Sequence, residues 1–342
     1  MDPTRQLRQL VNGYQVSQAL HVAATLKISD ALAAQPRGVD DLARITSTHA
    51  PTLGRLMRAL ESVGVYRRDD AGRFANTDLG EQLRTDVSGA VGGWAAFVGR
   101  PAHWTAWAGL LDSVRTGDNA FQTVHGMSPW DHRRRHPEEQ VIFDAAMTAM
   151  TGSLAEALIG HYDFGRFATL ADIGGGAGGL LAAILHSHPG LRGILFDQPG
   201  VVAGAPAVLG AAGVAGRCEV VGGSFFESVP PGADAYLLKA VLHDWPDAES
   251  VEILRACRRA VPSDGALLLV EQLLDEGPDP VRTVFSDLNM LVGPGGRERT
   301  RQEYGALLEA AGFALVSTTG TGTPVHVIEA APVVRRQQSS SR

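Results

Sequence analysis

A histidine set among carboxylates is the group in this chain best suited to chemistry. His243 lies in Lys239-Ala240-Val241-Leu242-His243-Asp244-Trp245-Pro246, directly after an apolar run that reads as a strand. An imidazole placed there can act as a general base near neutral pH, and the carboxylate of Asp244 stands beside it. Glu271 follows the next apolar run, and Glu298 sits in Gly295-Gly296-Arg297-Glu298-Arg299-Thr300. Either glutamate can hold an imidazole in one tautomer and favour its protonated form. The competing reading of these carboxylates is a surface salt bridge to Arg297, Arg299 or Arg301.

The other concentration of chemistry is Asp172-Ile173-Gly174-Gly175-Gly176-Ala177-Gly178-Gly179, where five of the last six residues are glycine. An apolar run precedes it and Leu180 to Leu185 reads as helix, so the plan is strand, glycine turn, helix. Backbone without side chains lets a ligand come close, and a helix start offers unpaired N–H groups. Gly174, Gly176 and Gly179 fit the dinucleotide fingerprint, whereas Gly174, Gly176 and Gly178 fit the G-x-G-x-G of S-adenosylmethionine enzymes. The loop alone permits both. Asp197 ends the following strand 23 residues past Gly174, where a carboxylate can accept both hydroxyls of a ribose of either ligand. Asp172, before the glycines, can meet a ligand ammonium group, which a nicotinamide dinucleotide does not have.

These residues need strand ends to hold them. Apolar runs at 167–173, 192–196, 217–221, 235–239 and 266–270 read as strands, with helices at about 201–209, 248–261, 282–291 and 301–311 between or after them. Two more strands are expected at 313–317 and 325–330. The alternation predicts a Rossmann-like, doubly wound α/β domain with ligands at the carboxyl ends of its strands. Before it, helices are expected at 7–34, 39–45 and 51–63, then two short strands around Asp69-Asp70-Ala71-Gly72. Helix, helix, helix, hairpin is a winged helix, which raises DNA binding as a reading. The first 100 residues hold 12 Lys/Arg and 10 Asp/Glu, a balance that favours packing or dimerisation instead. Residues 91–114 and 137–158 read as aromatic or methionine-bearing helices with a loop, 117–131, between them. Such stripes are ordinarily core, and their place just before the glycine loop also suits a pocket for a flat apolar substrate.

Composition narrows the remaining choices. The chain has 342 residues, 44% of them hydrophobic, and a net charge of −7, so nucleic acid and anionic membranes exert no general pull. No apolar run approaches ~20 residues, so no membrane span is expected. Cys218 and Cys257 are far apart and the first ten residues lack a signal-peptide core, so a reduced, cytoplasmic protein is the natural expectation. Only Lys27 and Lys239 are lysine, whereas 28 of the 30 basic residues are arginine. A lysine kept beside His243 implies a narrow slot that a planar guanidinium does not fit.

With these motifs in place, the chain resembles the S-adenosylmethionine-dependent O-methyltransferases of the caffeate, plant-natural-product and bacterial polyketide type. The likeness spans nearly the whole chain. It rests on Asp172 through Gly178, Phe196-Asp197-Gln198-Pro199, Gly223-Ser224-Phe225-Phe226, Lys239 through Pro246, and Gly295 through Thr300. The resemblance implies a winged-helix dimerisation domain over 1–100 and a methyltransferase domain with substrate-lining helices over 101–334; the polar residues over 335–342 are expected to be a disordered tail. It further implies that Asp172, Gly174, Gly176, Asp197, Ser224, Phe225, Lys239 and Thr151 bind S-adenosylmethionine. His243 is then the base, flanked by Glu271 and Glu298, while Phe143, Met147, Asp244, Asn289 and Met290 line the substrate. The acceptor is a hydroxyl, expected to be phenolic, on an aromatic small molecule, and the protein is a homodimer in antibiotic or other secondary metabolism. No metal, nucleic acid or membrane is implied. Many members carry Asp where this chain has Ser224, so that contact with the adenine end is expected to be weaker. Three alternatives stay open at this point: a winged-helix ligand-sensing transcription factor, an NAD-dependent oxidoreductase, which the glycine loop alone permits, and a family variant that hydroxylates or decarboxylates a polyketide.

Overall fold

The structure is a computed structural model and describes residues 2–333, so the expected tail at 335–342 lies outside the described residues. Its contacts divide the chain into two units: Met1–Ala108 with Val124–Ser153, and Gly109–Thr123 with Leu154–Arg342. Residues 101–108 and 124–153 group with the first unit, partly because Phe97 packs edge-on to Phe143, with ring centroids 5.3 Å apart.

In the first unit the expected helix over 7–34 is three helices, Pro3–Val11, Gly13–Thr25 and Ile28–Ala31. Lys27 takes a left-handed conformation, φ 53°, which ends the second of them. Helices Val39–Thr46 and Ala50–Ser62 follow as expected, the latter burying Leu53, Met57 and Leu60 on one face. Strands β1 (Tyr66–Arg68) and β2 (Phe74–Asn76) then pair antiparallel. Their turn is closed by Asp69 Oδ1, which accepts from the amides of Ala71 and Arg73. Residues 91–114 are likewise broken, into Gly92–Val98, Pro101–Ala108 and Leu110–Thr116, because Gly99 and Pro101 interrupt the ladder. The expected loop over 117–131 contains two helices, Ala120–His125 and Pro129–Arg135. Ser128 caps the second, its hydroxyl accepting from the Asp131 amide at 3.1 Å.

Helix Pro137–His161 is the one described helix long and apolar enough, by length and composition, to cross a bilayer. Any such span would include Asp144, a charge that the bilayer centre disfavours by about 3 kcal/mol.

The second unit holds a seven-stranded sheet in the order β5-β4-β3-β6-β7-β9-β8. Its strands are β3 (Thr169–Ile173), β4 (Arg192–Asp197), β5 (Cys218–Gly222), β6 (Ala235–Lys239), β7 (Ala266–Gln272), β8 (Phe313–Gly320) and β9 (Val325–Pro332). β3 to β7 run parallel, and β9 and β8 close the edge antiparallel. This is the expected Rossmann-like α/β fold. Leu170, Ala171, Ile173 and Leu237 are fully buried, as strands covered on both faces require. The strand order reverses between β3 and β6. A crevice opens at the carboxyl ends of strands at such a reversal, and the glycine loop follows β3 there while the His243 segment follows β6.

Candidate active site

Sheet register builds the His243 turn. Lys239, the last residue of β6, pairs with Val270, so Glu271 lies one residue further along β7, level with the chain as it leaves β6. Ala240 then adopts φ 53°, a left-handed conformation that costs a non-glycine residue about 1–2 kcal/mol. This bend aims the amides of Val241 and Leu242 at one acceptor, Glu271 Oε1, at 3.1 and 2.9 Å. A short 3-10 turn, Leu242–Asp244, carries His243 beyond them.

The glutamates meet His243 unequally. Glu298 Oε1 is 3.0 Å from Nδ1, a hydrogen bond, whereas Glu271 Oε2 is 3.9 Å from the same nitrogen. A carboxylate can only accept, so the proton between His243 and Glu298 sits on Nδ1 and Nε2 is the nitrogen left for chemistry. Asp244 Oδ1 lies 3.6 Å from Nε2, beyond hydrogen-bond length. Glu298 is held in turn: Ser286 Oγ donates to its Oε1 at 2.7 Å, Gln272 Nε2 at 3.2 Å, and its own amide donates to Asp287 Oδ1. The expected alternative, a surface bridge from Glu298 to a neighbouring arginine, is not what forms, because Glu298 is only 1% exposed. Burial works against its charge, yet His243 and the hydrogen bonds from His243 and Ser286 hold the carboxyl below its ordinary value. Burial likewise opposes a charged His243. The attraction of Glu298, Glu271 and Asp244, with the Glu298 hydrogen bond, outweighs it and pushes the imidazole up to about 10. Glu271 is pushed up to about 7, chiefly by burial, with His243 pulling the other way. Donor atoms of His243, Glu271 and Glu298 all lie within 4.8 Å of one another, a spacing a cation could share. Glu271 Oε1 and Glu298 Oε1 already accept the amide, hydroxyl and imidazole hydrogens described above, whereas Glu271 Oε2 and Glu298 Oε2 are buried without a hydrogen-bond partner.

Two supports of this turn were not legible as site residues. Arg299 is fully buried and donates to Leu242 O, Trp245 O, Asp247 Oδ1 and Ser250 Oγ. The turn thus hangs between Glu271 on its amide side and Arg299 on its carbonyl side. Gly296 passes so near that a Cβ there would lie 2.1 Å from His243 O and 2.4 Å from Asp244 C. The glycine pair in Gly295-Gly296 was a visible signal for close backbone approach. For Arg299 the only hint was its place beside Glu298.

The glycine loop also forms. Gly174, Gly176 and Gly178 have φ of 72°, 63° and 85°, and the Gly176 amide donates to Asp197 Oδ2 at 2.8 Å. Nothing lies within 4 Å of the place a Cβ on Gly176 would take. Asp172 is 1% exposed and its Oδ2 is buried without a hydrogen-bond partner. Burial pushes its carboxyl up to about 7, with Lys239 opposing and Asp197 adding. An open glycine cradle beside an unpartnered acceptor fits a ligand that brings a donor or a cation. Phe225 Cε1 is 3.7 Å from the Cβ position of Gly174, and its ring meets Trp245 edge-on at 6.0 Å. Ser224 follows β5 and its hydroxyl accepts from the Phe226 amide at 3.3 Å. Burial lowers the Lys239 pKa, opposed by Asp172, Glu271 and Asp244.

Asn289 and Met290 lie on helix Pro280–Val292, one turn beyond Ser286 on the same face. That helix therefore carries both an expected wall of the substrate site and a hydroxyl that steadies Glu298. Phe143, Met147 and Thr151 belong to the first unit. There the Arg133 guanidinium lies 4.0 Å over the Phe143 ring, and Thr151 Oγ1 donates to Met147 O at 2.7 Å.

Comparison with known proteins identifies the family of the chain. A family model described as an O-methyltransferase domain matches residues 107–314, and one described as an O-methyltransferase dimerisation domain matches residues 8–86. The chain is 43% identical to phenazine O-methyltransferase PhzM of Lysobacter antibioticus over 96% of each protein. Among solved structures it is similar to LaPhzM, with TM-score 0.93 and 42% identity over 97% of this chain and 100% of that one. It is also similar to NcsB1, an O-methyltransferase from neocarzinostatin biosynthesis solved with S-adenosylmethionine and 2-hydroxy-5-methyl naphthoic acid. There the TM-score is 0.77, with 35% identity over 93% of this chain and 96% of that one.

Proposed function

Because the chain belongs to the S-adenosylmethionine-dependent O-methyltransferases, we propose that it methylates a phenolic hydroxyl of an aromatic small molecule and that His243 holds the hydroxyl proton during transfer. The observation that carries this reading is the 3.0 Å bond between Glu298 Oε1 and His243 Nδ1, which leaves Nε2 for the acceptor. S-adenosylmethionine is the cofactor, and it supplies a methyl group already activated on a sulfonium. The residues of this chain are left with binding and orientation. Gly174 and Gly176 let the backbone approach the cofactor, Asp197 accepts its ribose hydroxyls, and Asp172 takes its ammonium group. Ser224, Phe225, Lys239 and Thr151 complete that set. Phe143, Met147, Asp244, Asn289 and Met290 hold the acceptor's ring, and Glu271 keeps the His243 turn in place. The residues over 1–100 pair two copies into a homodimer, and 101–334 carry the methyltransferase chemistry.

His243→Ala is expected to lower turnover about 10²–10⁴-fold, the range for loss of a general base, with cofactor affinity little changed. A calorimetric titration that showed the cofactor site lost together with activity would make His243 structural. With the imidazole pushed up to about 10, a weakly acidic phenol should give an activity that keeps rising above pH 8. A sulfonium methyl needs no Lewis acid, so turnover should persist in a chelator. Activity that chelation abolished and a divalent cation restored would overturn that part of the reading and point to the His243, Glu271 and Glu298 donors.

A further inference from the structure

Helix Pro280–Val292 grips Glu298 twice. Ser286 Oγ donates to Glu298 Oε1 at 2.7 Å, and the next residue, Asp287, accepts the Glu298 amide at 2.9 Å. Side chain and main chain of Glu298 thus hang from consecutive residues of one helix. The Ser286 hydroxyl is itself aimed. Gln272 Nε2 lies 3.1 Å from Ser286 Oγ and 3.2 Å from Glu298 Oε1, and a carboxylate can only accept, so the amide nitrogen faces both oxygens and donates. With its oxygen accepting from Gln272, Ser286 turns its hydrogen onto Glu298.

One carboxylate oxygen therefore meets three donors. His243 Nδ1 at 3.0 Å, Ser286 and Gln272 all bond to Glu298 Oε1, whereas Glu298 Oε2 is buried without a hydrogen-bond partner. An oxygen with two lone pairs shares them among three donors, so each draws charge from the others. Ser286 makes the shortest of the three bonds and sets how much of Oε1 is left for the imidazole. The same helix reaches toward the acceptor. Thr283, Ser286 and Met290 follow one another at helical spacing on its inner face, and Asn289 stands one turn beyond Ser286. On its outer face Val281, Val284 and Phe285 are exposed, so within this unit the inner face is what seats the helix.

We propose that Ser286 is a positioning residue through which acceptor binding sets the hydrogen bond between Glu298 and His243. This rests on the methyltransferase reading above, in which Asn289 and Met290 hold the acceptor's ring and Nε2 takes its proton. A ring seated on Asn289 and Met290 fixes the inner face of the helix, and Ser286, one turn back, carries that placement to Glu298 Oε1. The base is then tuned by the presence of the molecule it acts on. Around His243 and Glu298 stand Asp244 from the turn, Glu271 from β7, Lys239 from β6, Asp287 from the helix, Arg299 from the loop and Tyr304 from helix Arg301–Ala310. Exchange of Ser286 alters none of them, so a changed pH profile reports the hydroxyl.

The test compares wild type, Ser286→Ala and Ser286→Thr as full-length proteins, with 1-naphthol and dihydroxynaphthalenes as acceptors. Without the hydroxyl, Glu298 pulls harder on the imidazolium. The rising limb of kcat/KM is expected to move up by about one pH unit in Ser286→Ala, which lowers kcat/KM at pH 7 about tenfold, and to return in Ser286→Thr. S-adenosylmethionine affinity should stay within about twofold. The second readout is the Nδ1–H proton resonance of His243, assigned by its loss in His243→Asn. With S-adenosylhomocysteine bound, adding 1-naphthol should shift that resonance in wild type and Ser286→Thr but not in Ser286→Ala. Should melting curves show Ser286→Ala unfolded, Gln272→Met removes the amide that aims the hydroxyl and should move the limb in the same direction. An unmoved limb, or a naphthol-induced shift that persists without the hydroxyl, would overturn the proposal while leaving His243 as the base. Failure of wild type to methylate any of these naphthols, although the cofactor binds, would overturn the methyltransferase reading and the proposal with it.

Discussion

At the scale of single residues, the two glutamates beside His243 do different work. Glu298 bonds to the imidazole and Glu271 to the backbone amides beneath it. Glu298→Gln should therefore lower kcat about 10–100-fold with little effect on melting temperature. Glu271→Gln keeps an amide oxygen for Val241 and Leu242 and should be mild. Glu271→Ala leaves two buried amides unpaired and should cost about 1–3 kcal/mol for each. Equal kinetic and thermal effects of Glu298→Gln and Glu271→Gln would contradict this division. His243 and both glutamates were legible from motif and strand-end position, but their ranking was not. It depends on a β6/β7 register and on contacts from Gln272 and Ser286 that lie 26 and 12 residues from Glu298 in the chain.

Asp172 carries a pH signature of its own. Its carboxyl is raised to about 7, so its protonated form suits the fold and that contribution is lost as pH climbs from the carboxylate range through about 7. Glu271 behaves alike. The cofactor-free protein is expected to lose melting temperature between about pH 5 and 7.5, and Asp172→Asn to flatten that fall by about 2–4 °C per kcal/mol recovered. A fall left unchanged in the variant would remove Asp172 from the explanation. S-adenosylmethionine should stabilise wild type more than the variant, since the ammonium loses its partner.

At the scale of elements, the parallel strands were legible because each is an apolar run ending at a polar residue with chemistry to do. The helices were legible as helix, and their breaks were not. Residues 91–114 have one continuous apolar pattern, and only Gly99 and Pro101 show where it snaps. The Ser128-Pro129 cap was a readable start signal hidden in a polar stretch taken for loop. The loop Gly293–Thr300 is the element on which most depends, since it delivers Glu298 and Arg299 and lies directly over the His243 turn through Gly296. Gly296→Ala would bring a methyl against His243 O and push the turn away. A displacement near 1 Å should cost kcat about 10²-fold, while S-adenosylmethionine affinity, which the proposed function assigns to Gly174 and Asp197, should stay within a few-fold. Isothermal titration beside steady-state kinetics separates the two, and a parallel loss of both would count against a local effect.

At the scale of the whole molecule, helix Pro3–Val11 has no buried residue, and its Leu7, Leu10 and Val11 form an exposed apolar stripe, with Tyr14 exposed at the start of the next helix. Such a stripe calls for a cover, and a second copy of the matched dimerisation domain is the natural one. Light scattering at micromolar concentration is expected to give a dimer, and Leu10→Glu with Tyr14→Glu a monomer. A monomeric wild type would remove the homodimer. Composition, a property of the entire chain, also has a practical consequence. Of the side-chain amines, one is the exposed Lys27 and the other is Lys239, half-buried at the end of β6, between the residues of the glycine loop and the His243 turn. Burial lowers the Lys239 pKa, which favours the neutral amine that an acylating reagent attacks. An amine-directed reagent followed by peptide mass mapping thus has two internal addresses, one a constant reference and the other a footprint of cofactor occupancy. The protein carries its own ratiometric label.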